Sequence, residues 1–143
     1  MKKPRTFKEL FNAEPQTFIK CIYDPIPKQI DIDVSNPSGT DLQNIQKILI
    51  NSANLITYFS ELESKITIFK RYYKRAEQDA ETDEEKLENK RRHEDMLDKE
   101  KIVSDAKKVV DIQYRTVSKI LSIQSDEVKA NKMNDSIYGK RYK

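Results

Sequence analysis

The fold of this chain is decided by residues 40–76, which read TDLQNIQKILINSANLITYFSELESKITIFKRYYKRA. Apolar side chains recur there at steps of three and four, close to the 3.5-residue repeat of a helix in a coiled coil or bundle. They are Leu42, Ile45, Leu49, Ala53, Ile56, Phe59, Leu62, Ile66, Phe69, Tyr73 and Ala76. A second row, repeating every seven residues, comprises Ile48, Leu55, Leu62 and Phe69. This apolar surface is wider than one two-stranded contact needs, which predicts three or more helices in contact.

The positions of proline and glycine divide the chain. All five prolines precede Gly39, and neither residue type occurs between Gly39 and Gly139. Proline and glycine are the strongest local breakers of helices. We therefore expect an N-terminal arm over residues 1–39, helix-forming sequence over 40–130 and a basic tail over 131–143.

The arm carries two different local patterns. Thr6 and Glu9 have capping-box spacing, which predicts a short helix that ends before Pro15. Residues 17–23 are β-prone, and residues 30–34 alternate apolar and acidic side chains, which is typical of a half-buried extended strand. The aromatic and isoleucine content is too high for a free linker. We expect the arm to lie along its own helices or along a neighbouring subunit.

A turn is predicted near residues 79–82. The sequence from 77 to 101 is mostly charged, and within it Thr82 and Glu85 form another capping box. A turn at this point predicts a hairpin of two long helices. The alternative is one unbroken helix, which would be roughly 140 Å long.

The second helix of the hairpin has its own apolar row, again at steps of three, four and seven. Its members are Leu87, Leu97, Val103, Ala106, Val110, Tyr114, Val117, Leu121 and Val128. The predicted fold is therefore all-α: a long, coiled-coil-like helical hairpin with an extended, proline-containing N-terminal arm.

The composition predicts association with other chains. Hydrophobic residues make up 36% of the sequence and charged residues another 36%, and there is no Trp, so a thick core is not expected. Helices that bury one apolar stripe each would complete their core in a homo-oligomer. The residues predicted to hold the oligomer together are Leu49, Ile56, Phe59, Ile66, Val110, Val117 and Leu121.

The sequence contains few residues suited to catalysis, metal binding or nucleotide binding. Cys21 is the only cysteine and His93 the only histidine, so neither a zinc cluster nor a Cys/His dyad can be assembled, and no Gly-rich loop exists to hold a nucleotide. We predict no catalytic residues, no metal and no cofactor. No apolar run is long enough for a membrane helix. These features predict a soluble protein of a reducing compartment such as the cytoplasm. If the chain is phage-encoded, the compartment is the cytoplasm of the bacterial host cell.

The most specific local feature is the basic segment, defined here as residues 70–75. It comprises Lys70, Arg71, Tyr72, Tyr73, Lys74 and Arg75. Antiparallel pairing around the turn would add Lys90, Arg91 and Arg92 to the same region. Cations for phosphates and rings for stacking unpaired bases are what a protein needs to bind single-stranded nucleic acid.

A second interpretation of the same residues stays open. The cations could pair with the nearby carboxylates of Glu88, Glu94 and Asp95 while Tyr73 packs in the core. The basic segment would then be an ordinary solvated helix face.

Residues 70–73, KRYY, and 104–110, SDAKKVV, resemble two segments of the single-strand recombination mediator family of T-even-type phages, the UvsY-like proteins. Its members are small, helical and oligomeric, and carry a basic segment that ends in a tyrosine pair. The resemblance extends over residues 40–130. It implies an accessory factor that loads a strand-exchange recombinase onto single-stranded DNA. The residues that it places on the strand are Lys70, Arg71, Lys74 and Arg75.

The main alternative is a phage structural or assembly protein, either a virion or a scaffolding component. Its helices would bundle, and its arm would dock onto other phage or host proteins, which would place it in the virion. A third hypothesis is a helical adaptor or inhibitor that lays its apolar row into a groove of a host protein.

Overall fold

In the computed structural model, two long α-helices pack side by side as a hairpin, and two short helices precede them. The helices are α1 (Phe7–Phe11), α2 (Pro15–Tyr23), α3 (Gly39–Asp79) and α4 (Asp83–Arg141). The structure describes the side chains of residues 4–27 and 42–122, and the backbone also of 39–41 and 123–141. These residues contain no strand, so the predicted all-α hairpin is confirmed.

The turn between the long helices lies where its sequence predicts it. α3 ends at Asp79, and α4 begins at Asp83. The Thr82 side chain accepts a hydrogen bond from the backbone N–H of Glu85 at 3.2 Å, as in a capping box. Acidic residues in the first turn of α4 are favourable beside the positive end of the helix dipole. The unbroken helix of the alternative is therefore excluded.

The apolar rows predicted for α3 form the hairpin core. Both predicted rows supply fully or nearly buried side chains, among them Ile45, Leu55, Phe59, Leu62 and Ile66. They face α4, where the buried residues follow a seven-residue repeat of their own. These residues are Met96, Lys99, Val103, Ala106, Val110, Val117 and Ile120. The hairpin thus has the packing pattern of a two-stranded coiled coil.

Two of the side chains expected in the core of α4 lie outside it. Leu87 is 50% exposed and Leu97 is 42% exposed. The repeat that runs back from Val103 falls on Met96, one position before Leu97, so the expectation for both leucines was wrong. The next position of the repeat after Met96 is Lys99. Because lysine is charged, a pattern of apolar residues does not include it. Tyr114 and Leu121 are half-buried, and the Val128 side chain lies outside the described residues.

The arm is helical where the structure describes it. Thr6 caps α1 by accepting a hydrogen bond from the backbone N–H of Glu9 at 3.1 Å, which confirms the predicted short helix. The β-prone stretch is instead helix α2, so that expectation was wrong. A helix satisfies its own backbone hydrogen bonds, and it places Phe18 and Ile22 on one face, where both are completely buried. The extended strand predicted at residues 30–34 lies outside the described residues.

Both short helices pack against the hairpin, and α1 does so through aromatic contacts. The rings of Phe11 in α1 and Phe69 in α3 meet edge to face at 5.4 Å, and Phe7 stacks on Tyr58 at 6.5 Å. The ammonium group of Lys65 lies 4.6 Å from the Phe7 ring centroid. The expectation that the arm lies along its own helices is confirmed for α1 and α2. They supply the additional helices that the wide apolar surface of α3 predicts.

A buried ammonium group connects the arm to α4. Lys99 is only 3% exposed, and its Nζ atom donates hydrogen bonds to the backbone carbonyl of Phe11 and to Asp95 Oδ2, the latter at 2.6 Å. The same Nζ atom lies 5.5 Å from the Phe18 ring centroid. A buried charge is tolerated only when it is paired and hydrogen-bonded. The docked arm therefore provides what this lysine needs in order to lie in the core.

The register of α4 predicts a large effect for one substitution and a small effect for the same substitution at the next residue. Met96→Asp places a carboxylate among buried apolar side chains and should lower the free energy of unfolding by about 3 kcal/mol or more. Leu97→Asp, the matched control, changes an exposed side chain and should have little effect. Chemical denaturation followed by circular dichroism measures both. Equal destabilisation by the two variants would contradict this register.

Replacement of Lys99 should loosen the arm. In Lys99→Met the Phe11 carbonyl loses its charged donor. We therefore expect the free energy of unfolding to fall by about 1–3 kcal/mol. Amide hydrogen exchange should accelerate in α1 and α2 more than in the α3–α4 core. The control is Lys101→Met, because Lys101 is exposed on the same helix. Unchanged exchange in α1 would show that Lys99 does not hold the arm.

Candidate nucleic-acid interface

The basic segment lies in the last turns of α3, near the hairpin tip, the end that carries the turn at residues 80–82. A helix turns once every 3.6 residues, so six consecutive residues point in all directions. The structure accordingly separates them into three groups. Lys70 lies against α4, Tyr73 packs beside the core, and the others are exposed.

Lys70 is engaged in the hairpin. Its Nζ atom lies 2.7 Å from Glu100 Oε2 in α4, and its side chain is 23% exposed. Seven residues earlier on α3, Glu63 Oε1 lies 3.2 Å from Lys107 Nζ of α4. The two ion pairs connect the long helices along one side of the hairpin. The charge of Lys70 is therefore already balanced within the chain.

Tyr73 lies at the edge of the hairpin core, next to Arg92 of α4. Its ring stacks on Phe69 at 6.4 Å, and the guanidinium carbon of Arg92 lies 5.8 Å from its centroid. Arg92 also pairs with Glu88 at 2.8 Å. For these two residues the geometry is that of the second interpretation, in which Tyr73 packs and the cation is paired. Asp95, which that interpretation also invoked, pairs with Lys99.

Of the four exposed residues in the basic segment, three lie at the same place on the surface: Arg71, Tyr72 and Arg75. Together with Ile68, Ala76 and Asp79 they line one shallow hollow on the outer surface of α3. Tyr72 is 64% exposed, and its ring meets the ring of Tyr73 edge to face at 5.4 Å. In the part of the chain that the structure describes, neither arginine lies within ion-pair distance of a carboxylate.

The other predicted cations are exposed but not gathered into this hollow. Lys74, Lys90 and Arg91 all lie on the surface, and none has an ion-pair partner among the described residues. Arg92 reaches the basic segment through Tyr73, whereas no described contact joins Lys90 or Arg91 to it. Seven cations were expected in one region: the four of the basic segment and the three at residues 90–92. Only two of them, Arg71 and Arg75, share the hollow with Tyr72.

Two residues of the arm join this region without any signal in the sequence. Lys8 and Asn12 line a second hollow together with Tyr73 and Arg92. They are about sixty residues away from the basic segment in the chain. Only the docking of α1 beside the hairpin tip brings them together.

The residues predicted to form an oligomer contact lie mainly inside the hairpin. Phe59, Ile66 and Val110 are completely buried, and Val117 is 1% exposed. Leu49, Ile56 and Leu121 are half-buried. Apolar side chains that remain available to a partner are found elsewhere. They are Ile19, Tyr23, Ile50, Tyr58, Ile68, Tyr72, Leu87, Leu97, Val109 and Ile112, each more than a third exposed.

Other kinds of site are not evident in the described residues. No group of three or more His, Cys, Asp or Glu side chains comes together there as metal ligands. None of the described helices has a stretch both long and apolar enough to cross a membrane. Cys21 is a half-buried free thiol.

Comparison with known proteins adds no assignment. The chain matches no family model, and it matches neither a curated protein nor a solved structure. The fold defines the class of the protein as a coiled-coil hairpin with docked N-terminal helices. The resemblance to the recombination mediators stays a prediction.

Proposed function

We propose that this chain is a non-enzymatic, self-associating helical protein that binds single-stranded nucleic acid at its hairpin tip. One observation carries the proposal. Tyr72, 64% exposed, lies between Arg71 and Arg75 in one hollow, and neither arginine is paired with a carboxylate in the described structure.

The arrangement of the two arginines favours an anionic ligand. Arg71 and Arg75 are separated by one helical turn, and like charges at this spacing repel each other by a few tenths of a kcal/mol. Lys70 balances its charge with Glu100, and the same balance is lacking for the two arginines. Phosphate groups beside them would remove the repulsion and would accept charge-assisted hydrogen bonds.

The exposed ring favours an unpaired strand over a duplex. Tyrosine stacks on the face of any base, but in a duplex these faces are covered by neighbouring base pairs. A site in which one ring and two guanidinium groups outweigh a single carboxylate, that of Asp79, therefore prefers single strands and has little sequence preference. It also needs no catalytic group, metal or cofactor to perform this function.

Self-association would give such a small site useful affinity. The net charge is only +3, so attraction to a strand depends on local cations. Several copies of the site held in one assembly can engage one strand together, and their weak contacts then add. The exposed apolar side chains outside the hairpin core provide surface for contacts between copies. An accessory role in recombination, as the mediator resemblance implies, fits this mode of binding.

A second candidate function is phage assembly, in a virion or scaffold. It is favoured by three isoleucines on outward faces, Ile50, Ile68 and Ile112, which are 62%, 65% and 64% exposed. Ile50 and Ile68 are separated by about 27 Å along α3, so the three isoleucines provide separate contact points for neighbouring proteins and not one patch. Strand binding by the unaltered protein separates the two candidates, because an assembly role does not require it.

Removal of the two arginine charges should weaken strand binding. For Arg71→Gln with Arg75→Gln we expect the slope of log affinity against log salt to become shallower by about 1.4, since each phosphate contact contributes about 0.7 for a single strand. Fluorescence anisotropy of a labelled oligothymidylate over a range of salt concentrations measures the slope.

The matched control for the two arginines removes two exposed cations elsewhere. Lys47→Gln with Lys101→Gln changes the net charge equally but leaves the hollow intact. An equal loss of slope in both double variants would mean that binding follows net charge, and the proposed site would be wrong. Absence of binding by the unaltered protein at low salt would overturn the proposed function and leave the assembly candidate.

The role of the Tyr72 ring can be tested separately from charge. Tyr72→Ala should weaken binding to the single strand by about 1–3 kcal/mol without a change in salt slope, because stacking involves no counterion release. Tyr72→Phe retains the ring and should retain the affinity. Competition by a duplex of the same length should be weak for all these proteins. If Tyr72→Ala binds normally, the ring does not stack on bases.

A further inference from the structure

A second hollow lies between α1 and the hairpin tip, and three helices line it. Lys8 comes from α1 and Asn12 from its C-cap, Phe69 and Tyr73 come from α3, and Arg92 and Met96 come from α4. The Phe11 ring, which meets Phe69 at 5.4 Å, completes the lining. The hollow therefore exists only when the arm is docked on the hairpin.

The lining combines an apolar, aromatic part with cations. The half-buried rings of Phe69 and Tyr73 supply aromatic surface, the nearly buried Phe11 and Met96 add a smaller apolar part, and Lys8 and Arg92 supply positive charge. Asn12 adds an amide, which can both donate and accept hydrogen bonds. No carboxylate belongs to the lining. This is the chemistry of a nucleotide site: apolar surface for a base, an amide for its edge and cations for phosphate.

Arg92 is free to exchange its present partner for a phosphate. Its pair with Glu88 joins residues one turn apart on the same helix, and the two side chains are 56% and 63% exposed. Pairs as exposed as this contribute little to stability. A phosphate that replaces Glu88 as the partner of Arg92 therefore displaces only a weak interaction.

The second hollow is adjacent to the first. Tyr72 lines the outer hollow and Tyr73 lines the second one, and the two rings meet edge to face at 5.4 Å. A strand whose base stacks on Tyr72 thus has a second opening beside it.

We infer that the docked arm is part of the strand-binding surface. A nucleotide next to the one stacked on Tyr72 enters the hollow between α1 and the hairpin tip, where Lys8 and Arg92 face its phosphates. This inference rests on the proposed function and deepens it. The ligand is a single strand of DNA or RNA.

Arm docking and strand binding are then coupled. Lys99 holds the carbonyl of Phe11, the residue directly before Asn12, so the contact that docks the arm also positions the lining of the hollow. A ligand that binds only the docked state must favour docking to the same extent that docking favours the ligand. Strand binding should therefore slow amide hydrogen exchange in α1.

Lys8 provides the direct test. Lys8→Gln should weaken binding of a labelled oligothymidylate about fivefold at 0.1 M salt and reduce the salt slope by about 0.7, the contribution of one phosphate contact. Lys8→Arg retains the charge and should retain the slope. Lys20→Gln is the matched control, because Lys20 is exposed on α2 and lines neither hollow.

The outcomes separate this inference from the proposed function. Normal affinity and slope in Lys8→Gln, together with a loss in the double arginine variant, would overturn the role of the arm and leave the Tyr72 site intact. Unchanged exchange in α1 after addition of the oligothymidylate would also count against it. If the unaltered protein binds no strand, both proposals fail together.

Discussion

The structure depends on burial of the seven-residue apolar repeats of α3 and α4 against each other within one chain. Phe59 and Ile66 on one helix and Val103 and Val110 on the other are all completely buried. Thr82 caps the second helix and reverses the chain, so both repeats belong to the same molecule. Because this pairing buries Phe59, Ile66, Val110 and Val117, side chains that were expected in an oligomer contact lie in the hairpin core instead.

The hairpin alone leaves one side of its core uncovered, and the arm covers it. Phe18 and Ile22 become fully buried when α2 lies on the hairpin. The core also holds a lysine at a repeat position where a two-stranded coiled coil normally has an apolar residue. Lys99 is tolerated because a carbonyl of α1 and Asp95 both accept from it. The buried charge of Lys99 thus contributes both to the stability and to the specificity of arm docking.

The proposed function follows from how a helix distributes neighbouring residues. The basic segment is continuous in sequence, but its residues point in different directions from α3. Lys70 forms an ion pair with α4, and Tyr73 packs on Phe69. Arg71, Tyr72 and Arg75 face solvent. A cluster of cations in a sequence therefore overstates the cations available to one strand. Docking of α1 partly makes up the difference by adding Lys8 beside Arg92.

The sequence by itself determined the all-α class, the apolar rows of α3, the cap of α1 and the turn at residues 80–82. Periodicity and capping are local properties, so neighbouring residues suffice to reveal them. Only the tertiary structure decided that α2 is a helix, that Met96 rather than Leu97 enters the core, and which cations remain free. These outcomes depend on contacts such as that between Lys99 and Phe11, 88 residues apart, and no local pattern records which distant residues will meet.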